Sequence, residues 1–178
     1  INGLFEITGI SRVPFPVVGN RGDFRLVENG YDAETKILVC GSSELIGSDL
    51  PLEDSVDAIK TLYDEFDFMT ESDLARCIAC LLTPAFRRAG VVGNRIPLEV
   101  TEADRSQSGK TLLQQVKAGT YGDLPSYVTE RRNGVGSTEE NFSTALLSGR
   151  PFVLFDNFRG KLNISSLESF LTADGKFD

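Results

Sequence analysis

The chain contains 178 residues, of which 40% are hydrophobic and 25% are charged. This length suits one medium-sized core, and the balance of residue types excludes collagen-like and wholly disordered proteins. The formal net charge of −8 argues against broad coating of nucleic acid, and the absence of histidine excludes chemistry that depends on imidazole. No apolar stretch approaches the length of a membrane-spanning helix, so we expect a globular protein with no membrane partner.

The cysteine count and the first residue indicate the cellular compartment of the protein and whether the sequence is part of a longer chain. Three cysteines do not make a disulfide framework, and the N-terminal stretch lacks the features of a secretion signal, so we expect a cytoplasmic protein. Because the sequence opens with Ile1 rather than Met, we interpret it as a fragment of a longer chain. Cys77 and Cys80 permit a zinc or redox interpretation. A zinc site needs four ligands, and the chain has three cysteines and no histidine, so we favour buried small side chains as the role of this pair.

Residues 1–50 are predicted to form a small β-rich segment. Short apolar stretches are separated by residues that favour tight turns, such as Asn29 and Gly30. The expected strands are 4–7, Phe15–Val18, Phe24–Val27 and Ile37–Val39, followed by a linking loop at 42–51.

Two helices are predicted next. Over 52–66, apolar residues recur every three or four positions, as one buried helical face requires. A second helix is expected to begin near Thr70 or Ser72, where a hydroxyl can cap free amides. Pro84 is expected to kink or restart this helix, and Gly90 is expected to end it.

From residue 96 onward, strand and helix patterns alternate. Gly119 and Gly149 are expected to end two helices, and Ser137 with Glu140 predicts a reciprocal N-terminal cap. The stretch 152–156 is apolar without alternation, which predicts a strand covered on both faces in a parallel sheet between helix layers. The expected strands are 96–100, Ser126–Thr129 and 152–156, and the expected helices are 109–118, 137–148 and 165–171.

A polar stretch between the predicted strand at 96–100 and the helix at 109–118 has the features of a phosphate-binding loop. Such a loop turns backbone amides inward at a helix start and supplies a Lys for the outer phosphates and a hydroxyl for magnesium. The alternative is an ordinary polar loop, and Asp104 departs from the usual pattern, which has Gly there. The candidate nucleotide-binding residues are Asp104, Arg105, Ser106, Gln107, Ser108, Gly109, Lys110 and Thr111.

A second half of the site is predicted at the end of the strand at 152–156. Asp156 is placed to reach the water shell of magnesium, so Thr111 and Asp156 are the metal-binding candidates; the alternative is an acid that starts a turn. Asn157 follows, and its amide can orient water but cannot act as a base. The candidate catalytic residues are Lys110, Asp156 and Asn157, with Glu102, Glu130, Glu139 and Glu140 as further candidates for the base.

Residues 68–87, the Ser-Gly-Lys-Thr sequence at 108–111 and residues 145–157 carry a resemblance that spans roughly 52–172. This region resembles the P-loop ATPase region of primase-helicase-type replication proteins from phages and other mobile elements. Residues 30–35 resemble the segment that precedes the ATPase core in such proteins. In that family an Asp-Asn pair is usual at the position of Asp156 and Asn157.

The loop context and the resemblance together predict an α/β fold, a P-loop NTPase three-layer sandwich with a mainly parallel sheet and a truncated C-terminal part. Residues 1–50 would form a small N-terminal β segment, and 51–178 the ATPase domain with its helical lead-in. The sensor strand and basic finger of the family cannot be located before residue 178.

The resemblance implies a helicase-like, Mg-dependent ATP-binding hydrolase that acts in DNA replication and forms a homo-oligomer in its full-length form, with ATP and Mg as cofactors. Arg131 and Arg132 are candidate DNA contacts because they flank a Gly-rich loop, whereas solvated surface arginines are the alternative. The alternative function is a non-hydrolysing, P-loop-like scaffold that binds a protein partner or nucleic acid.

Overall fold

The computed structural model describes residues 6–19, 22–41, 50–93, 95–105, 107–130, 136–158 and 162–173. The chain forms two compact units, Ile1–Gly93 and Asn94–Asp178. The boundary expected from the sequence at 50/51 falls inside the first unit, and the assignment of 51–178 to one ATPase domain stays a prediction.

The first unit contains two small sheets. Its elements are β1 (Gly9–Ser11), β2 (Phe15–Val18), β3 (Phe24–Val27), β4 (Gly30–Asp32), β5 (Ile37–Val39), α1 (Leu52–Thr61) and α2 (Glu71–Arg88). One sheet has the order β1-β5-β4, with β1 parallel and β4 antiparallel to β5. The other is the antiparallel hairpin β2-β3. Buried side chains from both sheets form one core: Phe15, Val17, Val27, Ile37 and Val39.

An ion pair links β3 to β4 at the surface of this unit. The Arg25 guanidinium contacts the Asp32 carboxylate at 2.9 Å, and the Thr35 amide donates a 2.9 Å hydrogen bond to the same carboxylate. These contacts favour the charged carboxylate. Arg25, followed by Thr35, therefore lowers the pKa of Asp32 from 3.8 to about 2.

Residues at the two ends of α2 explain where this helix begins and ends. The Thr70 hydroxyl accepts a hydrogen bond from the Asp73 amide at the start of α2, as expected for a cap. Gly90, with φ of 76°, follows the end of the same helix, where a left-handed residue is favourable.

Several expectations for the first unit are corrected. Of the strand expected at 4–7, the described residues 6–7 are not in a strand, and β1 lies at Gly9–Ser11. Strand β4 at Gly30–Asp32 was not expected, and it begins at the last residue of the turn expected at 28–30. The first helix ends at Thr61 rather than Phe66, and α2 runs through Pro84 without a restart. Residues 4–5, and 42–49 of the linking loop, lie outside the described residues.

The second unit is built around a β-α-β arrangement. Its elements are α3 (Lys110–Thr120), β6 (Ser126–Thr129), α4 (Thr138–Leu147), β7 (Val153–Asp156) and α5 (Ser165–Thr172). Strands β6 and β7 are parallel, with Ser126 opposite Val153 and Thr129 opposite Asp156. Parallel neighbours need a crossover connection, which α4 supplies. The predicted strand at Ser126–Thr129, the strand ending at Asp156 and the parallel pairing are confirmed.

The core of the second unit lies between this strand pair and the helices α4 and α5. Phe142 and Val128 are almost completely buried, and the Phe142 ring lies 5.3 Å from the Phe155 ring and 5.8 Å from the Phe170 ring. The buried residues of the cluster are Val128, Phe142, Ala145, Ile164 and Leu167.

Two expectations for the second unit are wrong. Residues 96–100 form no strand, and the side chains of Glu99 and Thr101 contact helix α3 instead. Helix α3 does not end at Gly119 but continues to Thr120, and Gly122, with φ of 66°, follows.

The fold is therefore mixed α/β, with small sheets that are partly parallel and five helices among the described residues. In the described part of the chain, no helix combines the length and apolar character needed to cross a bilayer.

Candidate functional site

The start of α3 positions Lys110, the lysine of the predicted phosphate-binding loop. Gly109 is the N-cap residue, and Lys110 is the first helical residue. The Lys110 amine turns back over the loop and donates to the Arg105 carbonyl oxygen at 3.3 Å and to the Ser108 hydroxyl at 3.2 Å. The ammonium group is thus held inside the loop by neutral acceptors, which an anionic oxygen could replace.

The loop backbone takes two left-handed conformations just before the helix. Gln107 has φ of 61° and Gly109 has φ of 82°, on either side of Ser108. Such a change of backbone handedness can turn successive N–H groups toward one concave side, which is how anion-binding nests form. Gly109 suits this position because it lacks the Cβ that makes positive φ costly.

The first turn of α3 differs from those of the other described helices. Helices α1, α2, α4 and α5 each carry an acidic side chain in their first turn, whereas α3 carries none. The N-cap residue of α3, Gly109, has no side chain with which to cap the helix. Its positive dipole end and free amides are therefore not neutralised by a carboxylate from its own first turn.

A carboxylate from a distant part of the chain reaches the same helix start. The Thr111 hydroxyl donates a 3.1 Å hydrogen bond to Asp156 at the end of β7, and both residues are half-buried. Asp156 is the last residue of β7, and it lies opposite Thr129, the last residue of the parallel strand β6. Thr111 and Asp156, the two predicted magnesium ligands, are thus brought into direct contact.

Asp104, the departure from the usual loop pattern, is exposed and pairs with the next residue in the chain. Its side chain is 85% exposed, and its carboxylate lies 3.7 Å from the exposed guanidinium of Arg105. Solvent and the neighbouring guanidinium both weaken its field at the helix start.

Asn157 follows Asp156 with φ of 59° and is exposed. Asparagine tolerates this left-handed conformation better than most residues. The turn at Asn157 ends β7 directly after the Asp156 carboxylate, at the strand end that faces Thr111.

Two of the glutamates considered as a base have structural partners. Glu140 accepts a hydrogen bond from the Gly136 amide at 2.7 Å, and Ser137 caps the Glu140 amide, so the predicted capping box forms with Gly136 in place of the Ser137 amide. Glu139 accepts from the Ser165 amide at the start of α5 at 3.0 Å. Both carboxylates therefore stabilise helix starts.

The remaining site candidates are either exposed or outside the described residues. Glu102 and Glu130 are exposed. Ser106 of the loop and the two candidate DNA contacts, Arg131 and Arg132, lie outside the described residues.

Contacts that the sequence analysis missed hold the segment ahead of the loop. The Gln114 side-chain amide donates to the Thr101 hydroxyl at 2.7 Å, and Lys117 forms an ion pair with Glu99. The Lys117 side chain is only 6% exposed. A signal for this burial is present in the sequence, since Lys117 follows Leu113 by four residues and so shares the buried face of α3.

Among the described residues, no cluster of three or more His, Cys, Asp or Glu side chains is arranged to hold a metal ion. An ion at Thr111 and Asp156 would therefore take most of its oxygen ligands from phosphate and water, which is usual for Mg²⁺. Comparisons with protein-family models, with curated proteins and with solved structures find no match to this chain.

Proposed function

We propose that the second unit binds ATP with magnesium and belongs to a P-loop NTPase. The observation that carries this proposal is the Thr111–Asp156 hydrogen bond, which joins the first turn of α3 to the end of β7. A hydroxyl beside a strand-end carboxylate at a helix N-terminus is the oxygen arrangement that a nucleotide-bound Mg²⁺ requires.

Each residue has a separate role in this proposal. The amides of the loop and of the α3 N-terminus would receive phosphate oxygens, which the helix dipole favours. The Lys110 amine would exchange the Arg105 carbonyl and the Ser108 hydroxyl for oxygens of the outer phosphates. Thr111 would ligate the metal directly and Asp156 through water, and the metal would supply charge neutralisation on the phosphates.

The finer fold assignment is part of the same proposal. The parallel β6-β7 pair with α4 as its crossover is consistent with one side of a three-layer sandwich. A role as the ATPase of a helicase-like DNA replication protein, in a homo-oligomer, rests on the resemblance at 68–87, 108–111 and 145–157.

The second candidate function is a nucleotide-binding scaffold that does not hydrolyse. Asn157 favours it, because an amide stands where a water-activating carboxylate is common. The capping roles of Glu139 and Glu140 favour it too, since they hold these carboxylates at helix starts.

The proposal is tested by isothermal titration of Mg·ATP into the wild-type chain and into Lys110→Ala. We expect the wild type to bind and the variant to lose magnesium-dependent binding, because the amine that meets the phosphates is gone. Lys60→Ala is the matched control, since it removes an exposed lysine from α1. Equal binding by wild type and Lys110→Ala would reject the assignment of the loop.

A phosphate-release assay on the same samples separates the two candidates. Release that depends on Mg·ATP and disappears in Lys110→Ala supports an ATPase. Binding without release supports the scaffold.

A further inference from the structure

The segment ahead of the candidate loop is held by side chains rather than by a sheet. Residues 96–100 form no strand, although a loop of this kind is commonly delivered by one. The loop that follows ends at Gly109, the N-cap of α3. Whatever fixes residues 99–101 therefore fixes the first end of the loop, while α3 fixes the second.

Two contacts with α3 fix that first end. Glu99 pairs with Lys117, and Thr101 accepts a hydrogen bond from Gln114 at 2.7 Å. Gln114 and Lys117 are three residues apart and lie on one face of the helix. We name these four residues, Glu99, Thr101, Gln114 and Lys117, the α3 clamp.

Because Lys117 is buried, the Glu99–Lys117 ion pair of the α3 clamp is sensitive to the loss of either charge. The side chain of Lys117 is 6% exposed and that of Glu99 is 25% exposed. A buried ammonium without a carboxylate is strongly unfavourable, whereas an intact buried pair adds little net stability over apolar residues. The pair is therefore better suited to specifying where residue 99 lies than to stabilising the unit.

Two residues of the α3 clamp, Gln114 and Lys117, lie on the same face of α3 as Lys110. Lys110, Gln114 and Lys117 succeed one another at intervals of four and three residues, so they form a single stripe along α3. At one end of the stripe the Lys110 amine contacts the loop, and further along it Gln114 and Lys117 hold the segment that leads into the loop. A displacement at Glu99 or Thr101 would thus be passed to the loop that surrounds Lys110.

We propose that the α3 clamp positions the loop between Asp104 and Gly109 and thereby sets its affinity for Mg·ATP. The inference rests on the proposed function, and it makes Glu99 and Lys117 positioning residues that act through the loop backbone. Removing the Lys117 charge while keeping most of its length, in Lys117→Met, releases the segment. Lys117→Arg keeps a cation for Glu99 and is the conservative rescue.

The first measurement is the affinity for Mg·ATP by titration calorimetry, at a temperature where every variant is folded. We expect Lys117→Met to bind about 5- to 30-fold more weakly than wild type and Lys117→Arg to bind within about twofold of it. Ile164→Val is the matched control, because it destabilises the same unit through its core and leaves α3 unchanged. Unchanged affinity in Lys117→Met overturns the inference, and so does an equal loss in Ile164→Val.

The second measurement needs no nucleotide. An arginine-specific protease is used to cleave after Arg105, whose side chain is 87% exposed in the loop. Faster cleavage there in Lys117→Met than in wild type and Ile164→Val is expected, since native-state proteolysis follows local opening. If wild type binds no nucleotide, the proposed function fails, and this rate alone decides whether the clamp positions the loop. An unchanged rate then overturns that role.

Discussion

The Thr111 hydroxyl donates to the Asp156 carboxylate over 3.1 Å, although 45 residues separate the two in the chain. Helix α3 presents the hydroxyl in its first turn, and β7 delivers the carboxylate at its last residue. The contact joins the two predicted metal ligands at the first turn of α3, the helix whose first residue is Lys110.

Thr111→Val is expected to remove the magnesium-dependent part of ATP affinity. The variant loses the hydroxyl that donates to Asp156 and that the proposed function assigns to the metal, so we expect about a tenfold loss, on the scale of one hydrogen bond to a charged group. Titrations with magnesium and with chelator measure the difference. Thr111→Ser keeps the hydroxyl and should retain the dependence; an identical magnesium effect in Thr111→Val and wild type would contradict the metal assignment.

Asp104→Asn is expected to raise the affinity for ATP modestly. The exposed carboxylate repels phosphate through solvent, so removing its charge should strengthen binding about two- to fivefold at low salt. The gain should shrink at about 0.5 M salt, where the screening length is only a few ångström. Glu168→Gln makes the same charge change on α5 and should leave affinity unchanged. A loss of affinity in Asp104→Asn would mean that the carboxylate has a constructive role in the loop.

Asp32→Asn is expected to destabilise the first unit in a pH-dependent manner. Arg25 and Thr35 lower the pKa of Asp32 from 3.8 to about 2, so the stabilisation is complete above about pH 4 and is lost as the pH falls toward 2. We expect a deficit in the free energy of unfolding of about 1–2 kcal/mol at neutral pH, after allowance for solvent screening.

Urea unfolding of wild type and Asp32→Asn across this pH range measures the deficit. The difference between the two proteins should narrow below pH 4. A difference that stays constant from neutral pH to the acid limit would contradict the ion-pair explanation. Asp57→Asn, on the exposed face of α1, is the control and should show no deficit.

Phe142→Ala is expected to unfold the second unit at lower denaturant concentration. The ring is 1% exposed and packs between the rings of Phe155 and Phe170, so its removal should cost about 3–5 kcal/mol. Leu147→Ala on the same helix removes a side chain that is 89% exposed and should change stability by less than about 0.5 kcal/mol. Urea unfolding followed by circular dichroism compares the two, and equal losses would contradict this description of the core.

Short-range chemistry made part of this protein readable from its sequence. Contacts within a few residues include the cap of α2 by the Thr70 hydroxyl and the cap of the Glu140 amide by Ser137. The left-handed glycines Gly90 and Gly149 also act over a few positions. Such contacts depend on residue type and spacing alone. The strands β2, β3, β6 and β7 were predictable for a similar reason, since their apolar pattern and length limit the alternatives.

The residue types of the candidate site were also predictable from the sequence, but the distances between them were not. The run from Ser108 to Thr111 and the acid at Asp156 identify residue types that suit phosphate and magnesium. Whether Thr111 meets Asp156 depends on the register of β7 against β6 and on the position of α3, which involve partners far apart in the chain.

By itself, the sequence determined the local elements and the residue types available for a phosphate site, because capping, turn formation and periodic burial act over a few positions. Only the tertiary structure decided that residues 96–100 are tied to α3 by Glu99 and Thr101 rather than paired in a sheet, and that Lys117 is buried. The physical reason is that both outcomes depend on which distant surface offers a partner, and here Gln114 and Lys117 of α3 offer polar contacts to Thr101 and Glu99.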